Sequence, residues 1–336
     1  MPEAPRRTAA ITAVGAYLPE DRLTNADLEK LVDTNDEWIR TRTGIRERRI
    51  LRDPDKATAF MATEAARAAL AKRDLPPEAV DVILLATITP DMTFPATACL
   101  VQDKLGATGA WGYDISAACS GFLFALSSGA AMIESGLARR VLVIGGDTMS
   151  RIIDYTDRTT CVIFGDGAGA VLLESDETGH GVIDAVSYTD GSGVESLYMP
   201  GGGALRPPTH ETVDARMHFV KQDGKAVFKR AVVGMAEAAE EIMQRNALSP
   251  EAVDWLVPHQ ANLRIIDATR KRMGLPEEKV MLNIERYGNT TAGTLPLCLA
   301  DWEPQLRRGD NVVLAAFGGG FTWGATYLKW AYGGEG

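Results

Sequence analysis

The chain of 336 residues has few cysteines, few histidines and fewer basic than acidic residues. Its cysteines, Cys99, Cys119, Cys161 and Cys298, lie far apart and form no CxxC pair. This spacing argues against a zinc site or a dense disulfide framework and favours a reducing compartment. Lysine and arginine total 35 against 45 aspartates and glutamates, a net charge of −10, which disfavours a dedicated nucleic-acid-binding protein. We therefore expect a cytoplasmic protein without a nucleic-acid partner.

Export and membrane signals are lacking as well. The N-terminal segment MPEAPRRTAA carries charge but not the apolar stretch of a secretory signal, so we expect no export. The uncharged run at 115–133 has the length of a membrane span, yet it contains four serines and two glycines and is flanked by Asp114 and Glu134. We predict a fully buried helix there and no membrane insertion. The composition, 46% hydrophobic and 24% charged, is that of a globular protein.

Metal-binding and dinucleotide-binding patterns are not found in the sequence. His180, His210 and His218 show no HExxH or paired-ligand spacing, so we expect no metal site. The glycine-rich stretch GDGAGA at 165–170 is followed by the strand-like VLLES and not by a helix, which removes the phosphate-binding geometry. We predict a hairpin turn at this stretch and expect no metal or redox cofactor.

An internal repeat is the main organisational signal. The string PEAVD occurs at 77–81 and again at 250–254, an offset of 250 − 77 = 173. Each copy follows an alanine-rich helical stretch and precedes a short apolar strand, VILLAT at 82–87 and WLVP at 255–258. This order predicts an internally duplicated α/β protein whose parallel sheets are covered on both faces.

The duplication places a boundary near residue 180. We therefore predict two α/β halves, residues 1–180 and residues 181–336. In open α/β sheets, ligands bind beyond the carboxyl ends of the strands. Candidate functional residues should therefore lie in the loops that follow the strands.

Cys119 lies in such a loop, between the segment WGYDIS and the uncharged helix GFLFALSSGAAMI. A helix N-terminus there would favour the thiolate form, provided that apolar burial does not oppose it. His259 follows the strand WLVP, and Asn289 occupies in the second half the place of Cys119 in the first, since 289 − 119 = 170. Taken singly, they can be an inert core cysteine, a structural histidine and a helix N-cap.

Together, a cysteine, a histidine and an asparagine at one strand-end site form a nucleophile with proton-bearing partners, a set suited to acyl transfer through a thioester. The glycines at 318–320 follow the strand VVLAAF and allow backbone N–H groups to approach a reacting carbonyl, although a tight turn would use them equally well. Five arginines, at 40, 42, 46, 48 and 49, form a basic cluster, which is either a solvated face or a site for phosphate or carboxylate groups.

Several motifs give the chain a resemblance, over nearly its whole length, to the β-ketoacyl-acyl carrier protein synthase III enzymes. They are DEWIRTRTGIRER, DISAACSGF, FGDGAGAVLL, VPHQANLRII, RYGNTTAGT and AFGGGFTWGA. These enzymes are thiolase-fold condensing enzymes of bacterial fatty-acid synthesis. The resemblance implies a layered αβαβα fold and a decarboxylative Claisen condensation of an acyl-coenzyme A primer with malonyl-acyl carrier protein, without a cofactor.

The resemblance also implies roles for individual residues. Cys119 would be acylated, His259 and Asn289 would polarise the malonyl thioester, and the backbone N–H groups of Cys119 and Gly319 would form the oxyanion hole. Phe317 would line the acyl pocket. The coenzyme A and substrate contacts implied are Trp38, Arg42, Arg158, Gly224, Phe228, Asn262 and Phe317.

The partners implied are acyl-coenzyme A, the acyl carrier protein and a second copy of the chain. The carrier-protein docking stretch would be Gln260, Ala261, Asn262, Leu263 and Arg264. Phe94 would reach across a homodimer to close the acyl pocket of the partner. Thr159 and Gln222 depart from the common pattern along the substrate path, so the primer stays open.

Two alternatives to this function stay open in the sequence. The first is a related enzyme that primes polyketide synthesis or transfers an acyl group without decarboxylation. The second is a catalytically idle protein that keeps the fold and binds a carrier protein.

Overall fold

The computed structural model describes residues 7–333, so most of the N-terminal segment considered above as a signal, residues 1–6, lies outside the described residues. The strands are β1 (Thr8–Tyr17), β2 (Arg22–Thr24), β3 (Glu47–Arg49), β4 (Val82–Ala86), β5 (Trp111–Ile115), β6 (Arg140–Asp147), β7 (Gly167–Asp176), β8 (Gly181–Thr189), β9 (Leu197–Tyr198), β10 (Lys221–Gln222), β11 (Trp255–Pro258), β12 (Asn311–Gly318) and β13 (Thr322–Lys329). The helices are α1 (Asn25–Leu28), α2 (Asp36–Thr43), α3 (Thr58–Lys72), α4 (Thr97–Leu105), α5 (Gly121–Glu134), α6 (His210–Asp214), α7 (Gly224–Arg245), α8 (Leu263–Arg272), α9 (Ile284–Tyr287) and α10 (Thr294–Trp302).

Two main sheets organise the chain. The first has the order β1-β7-β6-β4-β5, and the second has the order β11-β12-β13-β8. Parallel pairing is confined to β4 with β5 and β6 and to β11 with β12, whereas β7 and β13 are antiparallel to their neighbours. The expectation of parallel sheets is therefore wrong for two of the four strand pairs in the first sheet and for two of the three in the second. Only residues 319–321 separate β12 from β13, too few for the crossover that a parallel pair requires.

The GDGAGA stretch is not the predicted hairpin turn. Its third residue, Gly167, begins β7, which pairs with both β6 and β1 in the first sheet. At Gly169 an added Cβ would lie 2.7 Å from the Cβ of Pro296. Glycine is therefore required here for close approach of α10 to the sheet, not for a turn.

Five layers result, and the αβαβα arrangement implied by the resemblance is confirmed. Helices α3 and α4 cover the outer face of the first sheet, and α7, with α8 beside it, covers the outer face of the second. Helices α5 and α10 lie between the two sheets. The central layer is therefore shielded from water on both sides.

Helix α5 shows why the long uncharged run is stable inside the protein. Phe122, Leu123, Ala125 and Leu126 are buried against strands of both sheets. A helix that is apolar on all sides requires such a double covering. Within residues 7–333, no helix combines the length and the apolar character that crossing a membrane requires.

The basic cluster near α2 does not form one solvated face. Arg48 is fully buried and donates hydrogen bonds to the Leu23 carbonyl (3.1 Å), to Asn25 Oδ1 (2.9 Å) and to the Val162 carbonyl (2.6 Å). Burial lowers the pKa of its guanidinium to about 10. Arg48 therefore belongs neither to a solvated face nor to a site for phosphate or carboxylate groups. The arginines at 40, 42 and 46 are exposed, so both interpretations stay open for them.

Candidate active site

The segment that carries Cys119 is a short 3-10 turn, Ala118–Ser120, which we call the cysteine turn. Ala118 adopts a φ of 46°, in the left-handed region. The Ser120 hydroxyl donates to the Thr322 carbonyl (2.9 Å), and the Thr322 hydroxyl donates to the Ala117 carbonyl (2.8 Å). A Cβ added at Gly318 would lie 2.6 Å from the backbone nitrogen of Cys119. The start of β13 therefore fixes the turn, and glycine at the end of β12 leaves room for it.

The Cys119 thiol is protonated at rest, contrary to the expectation of a thiolate. Burial, with a smaller contribution from the charge of Asp147, raises its pKa to about 12. Hydrogen bonds from its own backbone N–H and from the Asn289 side chain lower the pKa by less. Desolvation of the thiolate therefore outweighs the helix N-terminus, which was the condition attached to the prediction.

His259 follows β11 and lies beside β12. Its backbone N–H donates to the Ala315 carbonyl at 2.7 Å, which holds the residue against the second sheet. The side chain is buried, and burial lowers the pKa of the imidazole to about 3. Its Nδ1 atom has no hydrogen-bond partner among residues 7–333. The imidazole is therefore neutral at pH 7 and has hydrogen-bonding capacity to offer to a substrate.

Asn289 lies before a second 3-10 turn, Thr291–Gly293, which we call the threonine turn. Its backbone N–H donates to the Ile163 carbonyl (3.0 Å), and its Oδ1 accepts the Thr291 N–H (2.9 Å). Oδ1 is engaged in this way, and the Asn289 side chain, which lines the same cavity as Cys119, lowers the pKa of the Cys119 thiol. Asn289 is not the N-cap of α10, which begins five residues later at Thr294.

The predicted equivalence of Asn289 and Cys119 is wrong in register. The cysteine turn begins at Ala118 and the threonine turn at Thr291, so the structural offset is 291 − 118 = 173, that of the PEAVD repeat. Ala292 is therefore the counterpart of Cys119, and Asn289 corresponds to Ser116. The two side chains still line one cavity, because the two turns contact each other.

One cavity of about 440 Å³ brings the three candidates together, and we call it the substrate cavity. Cys119, His259 and Asn289 all line it, and Trp38 and Arg42 line it as well. A second cavity of about 180 Å³ also reaches Cys119, and we call it the inner cavity. Its walls are mostly apolar: Ile88, Ala118, Met149, Ile152, Phe164, Leu197, Tyr198, Met199, Val220, Thr291 and Gly319.

The residues predicted for coenzyme A lie along the substrate cavity or next to it. Two guanidinium groups lie over the ring of Trp38, that of Arg42 at 5.5 Å from the ring centroid and that of Arg158 at 5.2 Å. Four others line the cavity wall: Gly224, Phe228, Asn262 and Phe317. Phe317 contributes to this wall and not to that of the inner cavity, and its contact with the acyl group stays a prediction. Thr159 and Gln222, the departures from the common pattern, also line the substrate cavity.

The predicted docking stretch is only partly accessible. Gln260 is fully buried, and its amide bonds the backbone at Pro258, Met281, Asn283 and Ile284. A carrier protein cannot contact Gln260, because its side chain joins β11 to the segment before α9. Ala261 and Asn262 are half-buried, and Leu263 and Arg264 are exposed. The Arg264 guanidinium lies 4.6 Å from the centroid of Phe228, at the rim of the substrate cavity.

Gly319 and Phe94 occupy very different places. Gly319 lines the inner cavity next to Cys119. Phe94 is 83% exposed and lines neither cavity of its own chain.

Among residues 7–333, no cluster of three side chains suited to holding a metal ion is found.

Asp147, at the end of β6, is a site residue that sequence reasoning missed. It is fully buried, accepts hydrogen bonds from both the Thr87–Thr89 loop and the threonine turn, and influences the pKa of Cys119. The available signal was an acidic residue directly after the apolar strand VLVIGG. That signal is weak, because an acidic residue after a strand is usually exposed and the sequence does not show that this one is buried.

The family model described as 3-oxoacyl-[acyl-carrier-protein (ACP)] synthase III matches residues 113–191, and the one for its C-terminal part matches residues 243–330. A β-ketoacyl-[acyl-carrier-protein] synthase III of Chlorobaculum tepidum is 61% identical over 96% of this chain and 99% of its own length.

Solved structures give the same result. A 3-oxoacyl-[acyl-carrier-protein] synthase III from Aquifex aeolicus VF5 is 44% identical, with a TM-score of 0.89 over 96% of this chain and all of that one. A priming β-ketosynthase of a polyketide biosynthetic pathway is 34% identical, with the same TM-score over 98% of each chain. These likenesses confirm the thiolase fold implied by the sequence motifs. The chain belongs to the β-ketoacyl-acyl carrier protein synthase III family of condensing acyltransferases.

Proposed function

We propose that the chain joins an acyl group from acyl-coenzyme A to malonyl-acyl carrier protein through an acyl-Cys119 intermediate. The observation that carries the proposal is the meeting of Cys119, His259 and Asn289 in the wall of one cavity. A cysteine nucleophile, a neutral imidazole and an amide donor at one point are what a two-step thioester reaction requires.

In the first step, the Cys119 sulfur attacks the thioester carbonyl of the primer. The bond between that carbonyl and the coenzyme A sulfur breaks, and the Cys119 proton ends on the departing thiol. Because the resting thiol has a pKa of about 12, we propose that it loses its proton during the attack and not before. The backbone N–H groups of Cys119 and Gly319 are proposed to stabilise the oxyanion.

In the second step, malonyl-acyl carrier protein loses carbon dioxide. The bond between the carboxylate and the α-carbon breaks, and its electron pair stays on the α-carbon as an enolate. We propose that His259 and Asn289 donate hydrogen bonds to the enolate oxygen, since a neutral imidazole and an amide can both donate at pH 7. The α-carbon then attacks the acyl-Cys119 carbonyl, and Cys119 leaves as a thiolate that takes a proton.

Substrate recognition is proposed to follow the charges along the cavity. Trp38 between Arg42 and Arg158 offers a stacking face for an adenine ring and positive charge for phosphates. Exposed Arg264 at the rim offers positive charge to an acidic carrier protein, with exposed Leu263 beside it. The acyl chain of the primer is proposed to lie in the inner cavity, whose walls are mostly apolar.

A homodimer is proposed on two features of one surface. Strand β5 is an edge of the first sheet and exposes the stacked pair Trp111 and Tyr113, which are 49% and 37% exposed. An edge strand with exposed aromatic residues favours pairing with another copy. Met92 and Phe94 are exposed as well, and Phe94 is proposed to complete the inner cavity of the partner. We also propose a cytoplasmic location, in keeping with four unpaired cysteines.

The two alternatives differ in what supports them. Identity of 61% to a synthase III against 34% to a polyketide-priming ketosynthase favours the first function. The intact trio of Cys119, His259 and Asn289 disfavours an idle carrier-protein-binding role.

Intact-protein mass spectrometry tests the proposal. The wild type and Cys119→Ala are each mixed with a panel of acyl-coenzyme A primers and then with malonyl-acyl carrier protein. We expect an acyl adduct on the wild type alone, followed by its discharge with release of carbon dioxide and formation of β-ketoacyl-carrier protein. Discharge without carbon dioxide would indicate simple acyl transfer, and an adduct on Cys119→Ala would overturn the role of Cys119.

A further inference from the structure

We propose that Asp147 is a positioning residue that holds the Asn289 amide in place through the threonine turn and so serves the condensation step in particular. This inference rests on the proposed function, and it concerns a residue that touches neither substrate nor reacting atoms. Asp147 lies at the carboxyl end of β6, in the centre of the first sheet.

The Asp147 carboxylate accepts hydrogen bonds from two separate segments. Its Oδ1 atom accepts the Thr87 hydroxyl (2.9 Å), the Ile88 N–H (2.8 Å), the Thr89 N–H (3.1 Å) and the Thr89 hydroxyl (2.9 Å). Its Oδ2 atom accepts the Ala292 N–H (3.2 Å) and the Thr291 hydroxyl. Within residues 7–333, no lysine or arginine hydrogen-bonds Asp147, and burial raises the pKa of its carboxyl more than these hydrogen bonds lower it.

The contacts lead directly to Asn289. Thr291 donates its hydroxyl to Asp147 and its backbone N–H to Asn289 Oδ1. Asn289 in turn lines the substrate cavity together with Cys119, and its side chain lowers the pKa of the Cys119 thiol. Thr291 has a φ of 49°, a left-handed conformation that a β-branched residue adopts only under constraint. Asp147 supplies that constraint, because it binds the side chain of Thr291 and the N–H of the next residue together.

Asp147 also joins this turn to the inner cavity. The Thr87–Thr89 loop carries Ile88, which lines the inner cavity together with Thr291. One carboxylate therefore fixes the amide that faces Cys119 and part of the wall beyond it. The loss of Asp147 should disturb the site while the nucleophile stays in place, since Cys119 is held by Thr322 and β13.

The variant Asp147→Asn tests this directly, because an amide has only one acceptor atom. Its oxygen is expected to face the Ile88 and Thr89 N–H groups, which leaves an NH₂ group against the Ala292 N–H. The threonine turn should then shift. We expect the discharge of acyl-Cys119 by malonyl-acyl carrier protein to slow about 100-fold, as for a misplacement of about 1 Å. Acylation should be unchanged, because the cysteine turn is held by Thr322 and not by Asp147.

A matched pair at Thr291 covers the case in which Asp147→Asn does not fold. Thr291→Val keeps the β-branched shape but lacks the hydroxyl, whereas Thr291→Ser keeps the hydroxyl. We expect Thr291→Val to slow discharge at least tenfold relative to Thr291→Ser. As a control for the loss of a buried carboxylate, Asp166→Asn removes hydrogen bonds to Leu51 and Ser150 and should leave the ratio of the two rate constants unchanged.

Crystal structures of Asp147→Asn, or of Thr291→Val, give a readout that does not depend on turnover. We expect the Asn289 amide to have moved away from the Cys119 sulfur. Failure of the wild type to acylate or discharge would overturn the proposed function, while the displaced amide would still support the positioning role. Equal slowing of acylation and discharge, or an unmoved Asn289 with slow discharge, would overturn the positioning role.

Discussion

The cysteine turn and the threonine turn are two copies of one backbone device with different occupants. Each begins with a residue of left-handed φ, 46° at Ala118 and 49° at Thr291, and each runs into a buried helix, α5 or α10. The strand packed against the cysteine turn ends in Gly318, whereas the strand packed against the threonine turn ends in Asp147. Residues 147 and 318 end the corresponding strands of the two halves, β6 and β12.

The difference shows how the two copies of a duplicated fold can take different roles: one turn is proposed to bind the reacting group, and the other is proposed to hold Asn289 in place. At the threonine turn, a carboxylate of the protein itself occupies the N–H of Ala292, the counterpart of Cys119. At the cysteine turn, glycine adds no such group, and the N–H of Cys119 is left for the reacting carbonyl in the proposed mechanism. In our proposal, the protein's own carboxyl group fills the site at the threonine turn, and the copy of that site at the cysteine turn binds a transient oxyanion.

Filling the space at the cysteine turn should have the largest effect, because it removes the proposed difference between the two turns. In Gly318→Ala the new Cβ would lie 2.6 Å from the Cys119 backbone nitrogen. The turn must therefore move, or the Cys119 N–H must no longer be available to the substrate. We expect acylation to fall at least about 1000-fold, the upper range for loss of an oxyanion donor. Intact-protein mass spectrometry checks this, with Gly203→Ala as the control, since nothing lies within 4 Å of a Cβ there. Normal acylation of Gly318→Ala would remove the case for a crowded turn.

Removing the groups that face the cysteine turn should affect only the second step. In His259→Ala and Asn289→Ala, we expect acylation within about tenfold of the wild type, and discharge slower by about 100- to 10,000-fold. Rapid-quench measurements of adduct formation and of product formation separate the two steps. Equal loss in both would mean that these residues serve acylation as well.

A smaller effect is expected at the rim. In Arg264→Glu, the use of malonyl-acyl carrier protein should fall about tenfold more than the use of malonyl-coenzyme A, and the difference should shrink at high salt. Initial rates with the two substrates measure it. Arg272→Glu, on the same helix but paired with Glu240, is the control. Equal losses with both substrates would place the docking surface elsewhere.

The smallest effect concerns the free energy of unfolding, which burial of His259 lowers as the pH falls. Burial lowers the pKa of His259 to about 3, so between its ordinary value of 6.5 and 3 the unfolded chain binds a proton that the folded chain does not. The free energy of unfolding should therefore decrease on acidification, by at most about 1.4 kcal/mol per pH unit from this group. His259→Gln has no imidazole to titrate and therefore does not show this decrease. The free energies of unfolding of the wild type and of His259→Gln, measured by urea unfolding, should converge or cross between pH 7 and 5. Parallel pH dependence would contradict the buried neutral imidazole.

The sequence predicted the duplication, the meeting of Cys119, His259 and Asn289, and the buried helix that follows the cysteine. These features could be predicted because the spacing of a repeat and the position of a residue after a strand can be read directly from the linear sequence. The strand directions were wrong in part, since short connections such as residues 319–321 decide pairing and apolar strands do not reveal it. Gln260 was misplaced because a polar residue in a docking motif gives no sign of burial.

The correct register of the two turns could be read only from the structure. The condition attached to a Cys119 thiolate, that apolar burial does not oppose it, is not met, and the depth of burial could not be read from the sequence because it depends on how the whole site is covered. Asp147 escaped notice because its partners come from residues 58–60 positions before it and 144–145 positions after it in the chain. Only the folded chain brings them to one carboxylate.

The division of labour between the two turns can be tested most directly with Gly318→Ala and Asn289→Ala side by side. Both variants are mixed with an acyl-coenzyme A primer and then with malonyl-acyl carrier protein, and the mass of the protein is followed in time. We predict that Gly318→Ala fails to take up the acyl group, while Asn289→Ala takes it up and fails to discharge it. Failure of both variants at the same step would contradict the account.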